Sequence, residues 1–192
     1  MKRRLTLSLS LFLAFIVAAD AQMLQHRRKA FRVVGGPDVW YDSIAPGSTN
    51  SDSSVSNQGF SLGARVTVTT GGTATKVRMR AIFVNDTAAS VKVGLFSTTG
   101  TRLAQGTKAL TAEVNDSWIE VTLSVPVAVT SATTYIVGWM CSNAVGFTGR
   151  HLSGAASGTG VAEFSETYAG YPSASISFSD LTTQFSAGVF VD

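Results

Sequence analysis

A chain of 192 residues that is 45% apolar has material for one domain with a proper core, which excludes disorder throughout. Only 14% of residues are charged, while Ser, Thr, Gly and Val dominate, a balance that points to a β-rich extracellular domain and away from a helical cytosolic one. The net charge of +3 is unevenly spread. Residues 22–36 carry four bases and no acid, and everything from Pro37 onward carries eight bases and eleven acids, so the folded body presents no bulk basic face to a nucleic acid.

In chain order, "MKRRLTLSLSLFLAFIVAADAQ" opens with Lys2, Arg3 and Arg4, continues with an apolar run from Leu5 to Ala19, and offers Ala19-Asp20-Ala21 as an A-x-A cleavage site. That pattern predicts a secretory signal over 1–21 and a secreted or cell-surface product. A start at Met23 would instead leave the product unprocessed. The apolar run is short for a permanent span, and no later stretch approaches the roughly 20 residues needed, so no membrane span is expected once the signal is removed. Residues 22–37 form a basic arm with Arg27, Arg28, Lys29 and Arg32, which is either a disordered leader or a tether that docks on a neighbouring subunit or other assembly partner, an anionic surface or packaged nucleic acid.

The remainder, 38–192, is expected to be a single all-β domain, an antiparallel β-sandwich of jelly-roll type. A Ser/Asn/Asp-rich loop, "SIAPGSTNSDSSVSNQG", comes first, and from Gly59 the apolar period is two. In "FSLGARVTV" Phe60, Leu62, Ala64, Val66 and Val68 share one face. "KVRMRAIFV" puts Val77, Met79, Ala81 and Phe83 inward and Lys76, Arg78 and Arg80 outward. "SVKVGLF" turns Val91, Val93 and Leu95 in and Lys92 out. "WIEVTLSV" turns Ile119, Val121, Leu123 and Val125 in, with Trp118 and Glu120 out. Further strands are expected at about 101–110, 133–142, 160–168 and 186–191, and "STTGT" between two of these runs reads as a hairpin turn whose Gly100 takes a positive φ. Trp40-Tyr41, Tyr168 and Tyr171 fall in expected loops as exposed aromatics. Cys141 is the only cysteine; it shares a face with Tyr135, Val137 and Trp139 and reads as a packed thiol.

"VGLFSTTGTRLAQGT" followed by "NDSWIEVTLSVPVAVTSATTYIVGW" resembles the DUF4082 family and related jelly-roll modules, from about Leu62 to the final "FSAGVFVD". The resemblance implies a secreted sandwich that accompanies polysaccharide-acting or adhesive domains and has no established catalytic set. One departure is Asn115-Asp116-Ser117, where a small Gly turn is commoner before the tryptophan.

The chemistry-bearing residues do not assemble into an enzyme. "GFSLG" matches G-x-S-x-G, but Ser61 lies in an alternating strand with no helix behind it. His26 and His151 lack ligand-spaced partners, and Glu163 and Glu166 are a solvated strand end rather than a glycosidase pair. No cofactor is implied, although Asp42, Asn50, Asp52 and Asn57 supply hard oxygens that could hold a structural calcium ion. Asn85 and Asn115 begin N-x-S/T sequons in expected turns.

The outward cations Lys76, Arg78 and Arg80, with Lys92 on a paired strand and Arg65 nearby, repel one another unless acids such as Glu120 or an external anion balance them. Trp118 on the same face offers a stacking platform. Lys76, Arg78, Arg80, Lys92 and Trp118 are therefore the candidate ligand-binding residues of a non-catalytic module for a glycan or a surface protein. The alternative is a virion structural subunit, such as a capsid-decoration or fibre protein, that assembles through residues 22–36 and the sheet face.

Overall fold

The computed structural model describes residues 38–44, 51–56, 61–83, 89–111, 114–142, 147–152, 159–163 and 167–192, with 51–56 and 147–152 described as backbone. These lie in the unit Gly36–Asp192. The expected signal, the basic arm, Asn50, Asn57, Phe60, Asn85 and Glu166 fall outside the described residues.

Among the described residues all regular structure is strand. In chain order these are β1 (Val39–Asp42), β2 (Ser51–Ser56), β3 (Ser61–Val68), β4 (Gly72–Phe83), β5 (Ala89–Ser97), β6 (Arg102–Leu110) and β7 (Val114–Val129), followed by β8 (Thr133–Cys141), β9 (Phe147–Leu152), β10 (Gly160–Glu163), β11 (Ser179–Leu181), β12 (Gln184–Phe185) and β13 (Ala187–Val191). One antiparallel sheet runs β1-β13-β4-β9-β12, with β7 on β4 and β2 on β9; the other runs β11-β10-β3-β8-β5-β6. The fold is an open sandwich of two sheets, as the alternation requires: a sheet with one greasy face must bury it against another.

The core between the sheets is the set the period-two pattern picks out. Leu62, Ala64, Val66 and Val68 of β3 meet Val77, Met79, Ala81 and Phe83 of β4, with Val91, Val93, Leu95, Ile119, Val121 and Leu123, all buried. Trp139 packs edge-on against Phe185 at 5.5 Å. Cys141 is buried in the same cluster. Each fully buried aliphatic or aromatic side chain here contributes about 1.5–3 kcal/mol of transfer free energy.

Val125 departs from the pattern at 68% exposure. The β4–β7 register jumps from Lys76↔Thr122 to Ala74↔Val127, so residues 123–126 bulge out opposite a single residue, and Pro126 in the bulge has no N–H to return to the ladder. Four further expectations are corrected. The Ser/Asn/Asp-rich loop contains a strand, β2. Trp40-Tyr41 lies in strand β1, where pairing with β13 orders it. The strand expected over 160–168 stops as β10 at Glu163, and residues 168–170 form a turn. Tyr171 is buried, not exposed.

That burial reflects a second, smaller core on the outer side of the β3-β8-β5 sheet. Phe96, Ile136 and Met140 have outward parity yet are fully buried, together with Val161, Tyr171 and Ile176 and with Tyr168 and Phe178 packed against them. Residues 167–178 form a strap across this face. Gly63, Gly138 and Gly94 stand in register on three adjacent strands, and a Cβ on Gly138 would come within 2.7 Å of the Tyr171 hydroxyl, so the glycine row is the furrow that admits the tyrosine. Lys92 Nζ donates to the carbonyls of Tyr168 and Ala169 at 2.8 and 3.1 Å and sits 4.6 Å over the Tyr168 ring. The "STTGT" turn is the expected hairpin, with Gly100 at φ 83. Its amide donates to Ser97 and its carbonyl accepts from Ile176, which ties the hairpin to the strap.

Candidate functional site: the outer face of the β1-β13-β4-β7 sheet

With much of the opposite face covered by the strap, the outer face of the larger sheet carries the candidate site. Alternation places Trp40 and Asp42 of β1, Gly188 and Phe190 of β13, and Lys76, Arg78 and Arg80 of β4 on this face. Register sets Asp42 opposite Gly188 and Gly188 opposite Arg78, so two charged residues flank a strand that has no side chain between them. A Cβ at Gly188 would lie 2.2 Å from Asp42 Oδ1 and 3.3 Å from Arg78 Cγ. Through that gap Arg78 reaches across β13: Nε donates to Asp42 Oδ1 at 3.0 Å and Nη2 to Oδ2 at 2.6 Å. The pair is a two-bond fork, and the side chains are only 15% and 8% exposed.

The guanidinium also lies over two indole rings. Its Cζ lies 4.2 Å from the Trp40 ring centroid and 4.3 Å from that of Trp118. Each such contact is worth about 0.5–1 kcal/mol when exposed and more when dry. Phe190 extends the row, its ring centroid 5.2 Å from that of Trp40 and 5.3 Å from Lys76 Nζ. Trp118 is the member that meets solvent, 36% exposed.

Arg80, one step along β4, donates Nη2 to Asp116 Oδ2 at 3.1 Å, with Nε 3.0 Å from Oδ1. Asp116 sits at φ 43 in a bulge where residues 115–116 of β7 stand opposite a single β4 position. A short polar residue tolerates this left-handed backbone. The bulge ends two residues before Trp118 and sets the tryptophan on the outer face beside Arg78.

The sequence profile of one family, Domain of unknown function (DUF4082), matches residues 45–184. The chain belongs to the DUF4082 family. No curated protein matches it. The span shared with DUF4082 holds Arg78, Arg80, Asp116 and Trp118 but ends short of Trp40, Asp42, Gly188 and Phe190, so half of this chain's aromatic–guanidinium stack comes from strands outside the family match. The positive φ at Asp116 asks for a residue that accepts left-handed backbone, and Asp does so while binding Arg80.

Of the candidate residues, the structure brings Lys76, Arg78, Arg80 and Trp118 together and separates Lys92 from them. Lys92 was expected on a strand paired with β4, but β4 pairs β7, β13 and β9, whereas β5 belongs to the other sheet. Arg65 likewise lies in that second sheet, with Nη1 2.7 Å from Asp180 Oδ1. Glu120 stands opposite Arg78 in the ladder, but the ion pair forms with Asp42. Asp42, a calcium candidate by sequence, accepts the two-bond fork of Arg78, one bond on each carboxylate oxygen. Asp52 is described as backbone in β2. Among the described residues no three of His, Cys, Asp and Glu converge. Missed by the sequence reading were Asp42 and Asp116 as partners of the arginines, and Trp40 and Phe190 as members of the stack. The signal was present in "WYD", where Trp40 and Asp42 share parity.

Proposed function

We propose that this DUF4082 chain is a secreted, non-catalytic binding module that holds a neutral polysaccharide on the Trp40–Arg78–Trp118 face. The observation that carries the reading is a solvent-facing indole fixed in orientation by a guanidinium whose charge is already cancelled. A pyranose ring presents C–H groups on its faces and hydroxyls on its rim; an indole takes the former and the Arg78–Asp42 and Arg80–Asp116 pairs can bond the latter. Because Arg78 and Arg80 are each balanced from within, the guanidinium pair has no need of an anionic ligand to relieve repulsion, which argues for an uncharged glycan over an acidic one. Rigid mounting favours binding, since little side-chain entropy is left to lose. The signal-like pattern expected over 1–21, with its basic start, apolar run and A-x-A site, supports an extracellular reading.

The test is retention of the purified protein on insoluble cellulose, chitin, xylan and starch. Retention on at least one polymer is expected, with Trp118→Ala lowering affinity about tenfold or more, as for a central aromatic anchor. Failure to bind any of the four, or full retention by the Trp118→Ala protein, would refute the reading.

A further inference from the structure

An open cleft of about 360 Å³ lies beside the stack, lined by Asp42 and Ser43 at the end of β1, Arg65 and Thr67 of β3, Thr134 of β8, and Gln184 of β12 among others. Its position follows from the topology. β10 pairs β3 over residues 61–64 and the Arg65 amide still donates to the Thr159 carbonyl, so that neighbour ends at Arg65 and the next residues of β3 share the cleft wall with the end of β1. Asp42 is common to both places: it grips Arg78 in the stack and forms part of the cleft wall.

The lining selects a class of ligand by elimination. The side chains named are all polar, which disfavours a lipid or a stacked base. Both ionic groups already have counter-charges, Arg65 in Asp180 and Asp42 in Arg78, which disfavours an anion or a cation. What the wall offers is hydroxyl and amide chemistry. Thr67 and Thr134 share one hydrogen between their Oγ1 atoms at 2.9 Å, so whichever hydroxyl accepts keeps its own hydrogen to give. Gln184 donates its Nε2 to the Ser43 carbonyl and retains Oε1 as an acceptor. Such adjacent donors and acceptors match vicinal hydroxyls. The volume is at the small end of ligand pockets, which span roughly 300–1,000 Å³, and suits one sugar ring rather than a chain.

We propose that the cleft is a second sugar site that takes a single uncharged pyranose, the terminal residue of a glycan chain. The proposal rests on the glycan reading above for its ligand class and adds end recognition to it. The test is titration of the full ¹⁵N-labelled chain with glucose, galactose, mannose and N-acetylglucosamine, followed by amide shifts. At least one sugar should give saturable shifts at Arg65, Thr67, Thr134 and Gln184. Combined Thr67→Val and Thr134→Val, isosteric changes suited to strands, should weaken that sugar about tenfold by removing the hydroxyls. Absence of cleft shifts with all four sugars, or unaltered affinity in a Thr67→Val/Thr134→Val protein whose spectrum remains dispersed, overturns the proposal. The two readings fail separately: polymer retention through Trp118 without cleft shifts removes only the cleft, and cleft shifts without polymer retention remove only the stack.

Discussion

Gly188→Ala is the most informative single change, because its cost depends on one ion pair. The added Cβ would lie 2.2 Å from Asp42 Oδ1, so the carboxylate must retreat by roughly 1 Å to reach ordinary contact. That oxygen accepts from Arg78 Nε at 3.0 Å, and the retreat breaks the fork. With Asp42 only 8% exposed, complete loss of its partner would cost about 3–5 kcal/mol. Part is recovered as one bond re-forms, and Ala is better than Gly in a strand by about 0.5–1 kcal/mol. The net expectation is a loss of about 2–3 kcal/mol, or a fall in Tm of about 4–12 °C for a domain of this size. Urea unfolding followed by tryptophan fluorescence measures it. In an Asp42→Ala background the added methyl has no carboxylate to displace, so Gly188→Ala should then cost less than about 0.5 kcal/mol, a coupling of about 2 kcal/mol between adjacent positions. Equal losses in both backgrounds would refute the reasoning and assign the cost to the Tyr41 carbonyl, 3.1 Å from the same Cβ.

Three other outcomes are expected. Gly100→Ala should cost more than about 3 kcal/mol, since φ 83 alone penalises Ala by about 1–2 kcal/mol and its Cβ would fall 1.7 Å from the Ile176 carbonyl oxygen; a near-normal Tm would show that the hairpin and strap separate readily. Asp116→Asn should cost less than about 1 kcal/mol, the range of a half-exposed pair, whereas Asp116→Val should cost about 2–3 kcal/mol because a β-branched residue resists φ 43, a contrast that urea midpoints resolve. Lys92→Met, which keeps the stem and removes the ammonium bonded to Tyr168 and Ala169, should speed amide exchange and proteolysis at 167–171 while leaving β4 amides protected; uniform acceleration across both sheets would mean the strap is part of the global unit.

Where a strand buries one face, its residues announce it: β4 reads Val77, Met79, Ala81, Phe83 in and Lys76, Arg78, Arg80 out, and the structure agrees at every position. Legibility fails where both faces are covered. From Tyr135 to Cys141 all of β8 is buried, and Ile136 and Met140, apolar at outward parity, were the signal that something lies over that sheet. It fails again where partners are remote in sequence. Asp42 and Arg78 are 36 residues apart and meet only because β1 joins β13 and β13 joins β4, a strand order that spacing does not encode. The charge row was right that acids of the same sheet relieve the repulsion, but the acid named, Glu120, is the nearer one by pairing, whereas Arg78 takes Asp42, the one with the gap in front of it. The bulges at 115–116 and 123–126 each reset the phase, which is why Trp118 lands as expected and Val125 does not.

The pairing of the first described strand with the last has a mechanical consequence. Val39 stands opposite Val191, so a tension applied to the domain through those two residues pulls neighbouring strand ends apart and loads the rungs of one ladder in succession rather than all together. Such a seam opens at low force. Trp40 and Asp42 ride on the strand that peels, and as it departs Arg78 loses one ring and its carboxylate at once. Stretching the chain and dismantling its aromatic face would then be one event, which single-molecule pulling of the native and Asp42→Ala proteins would register as a first rupture step at lower force in the variant.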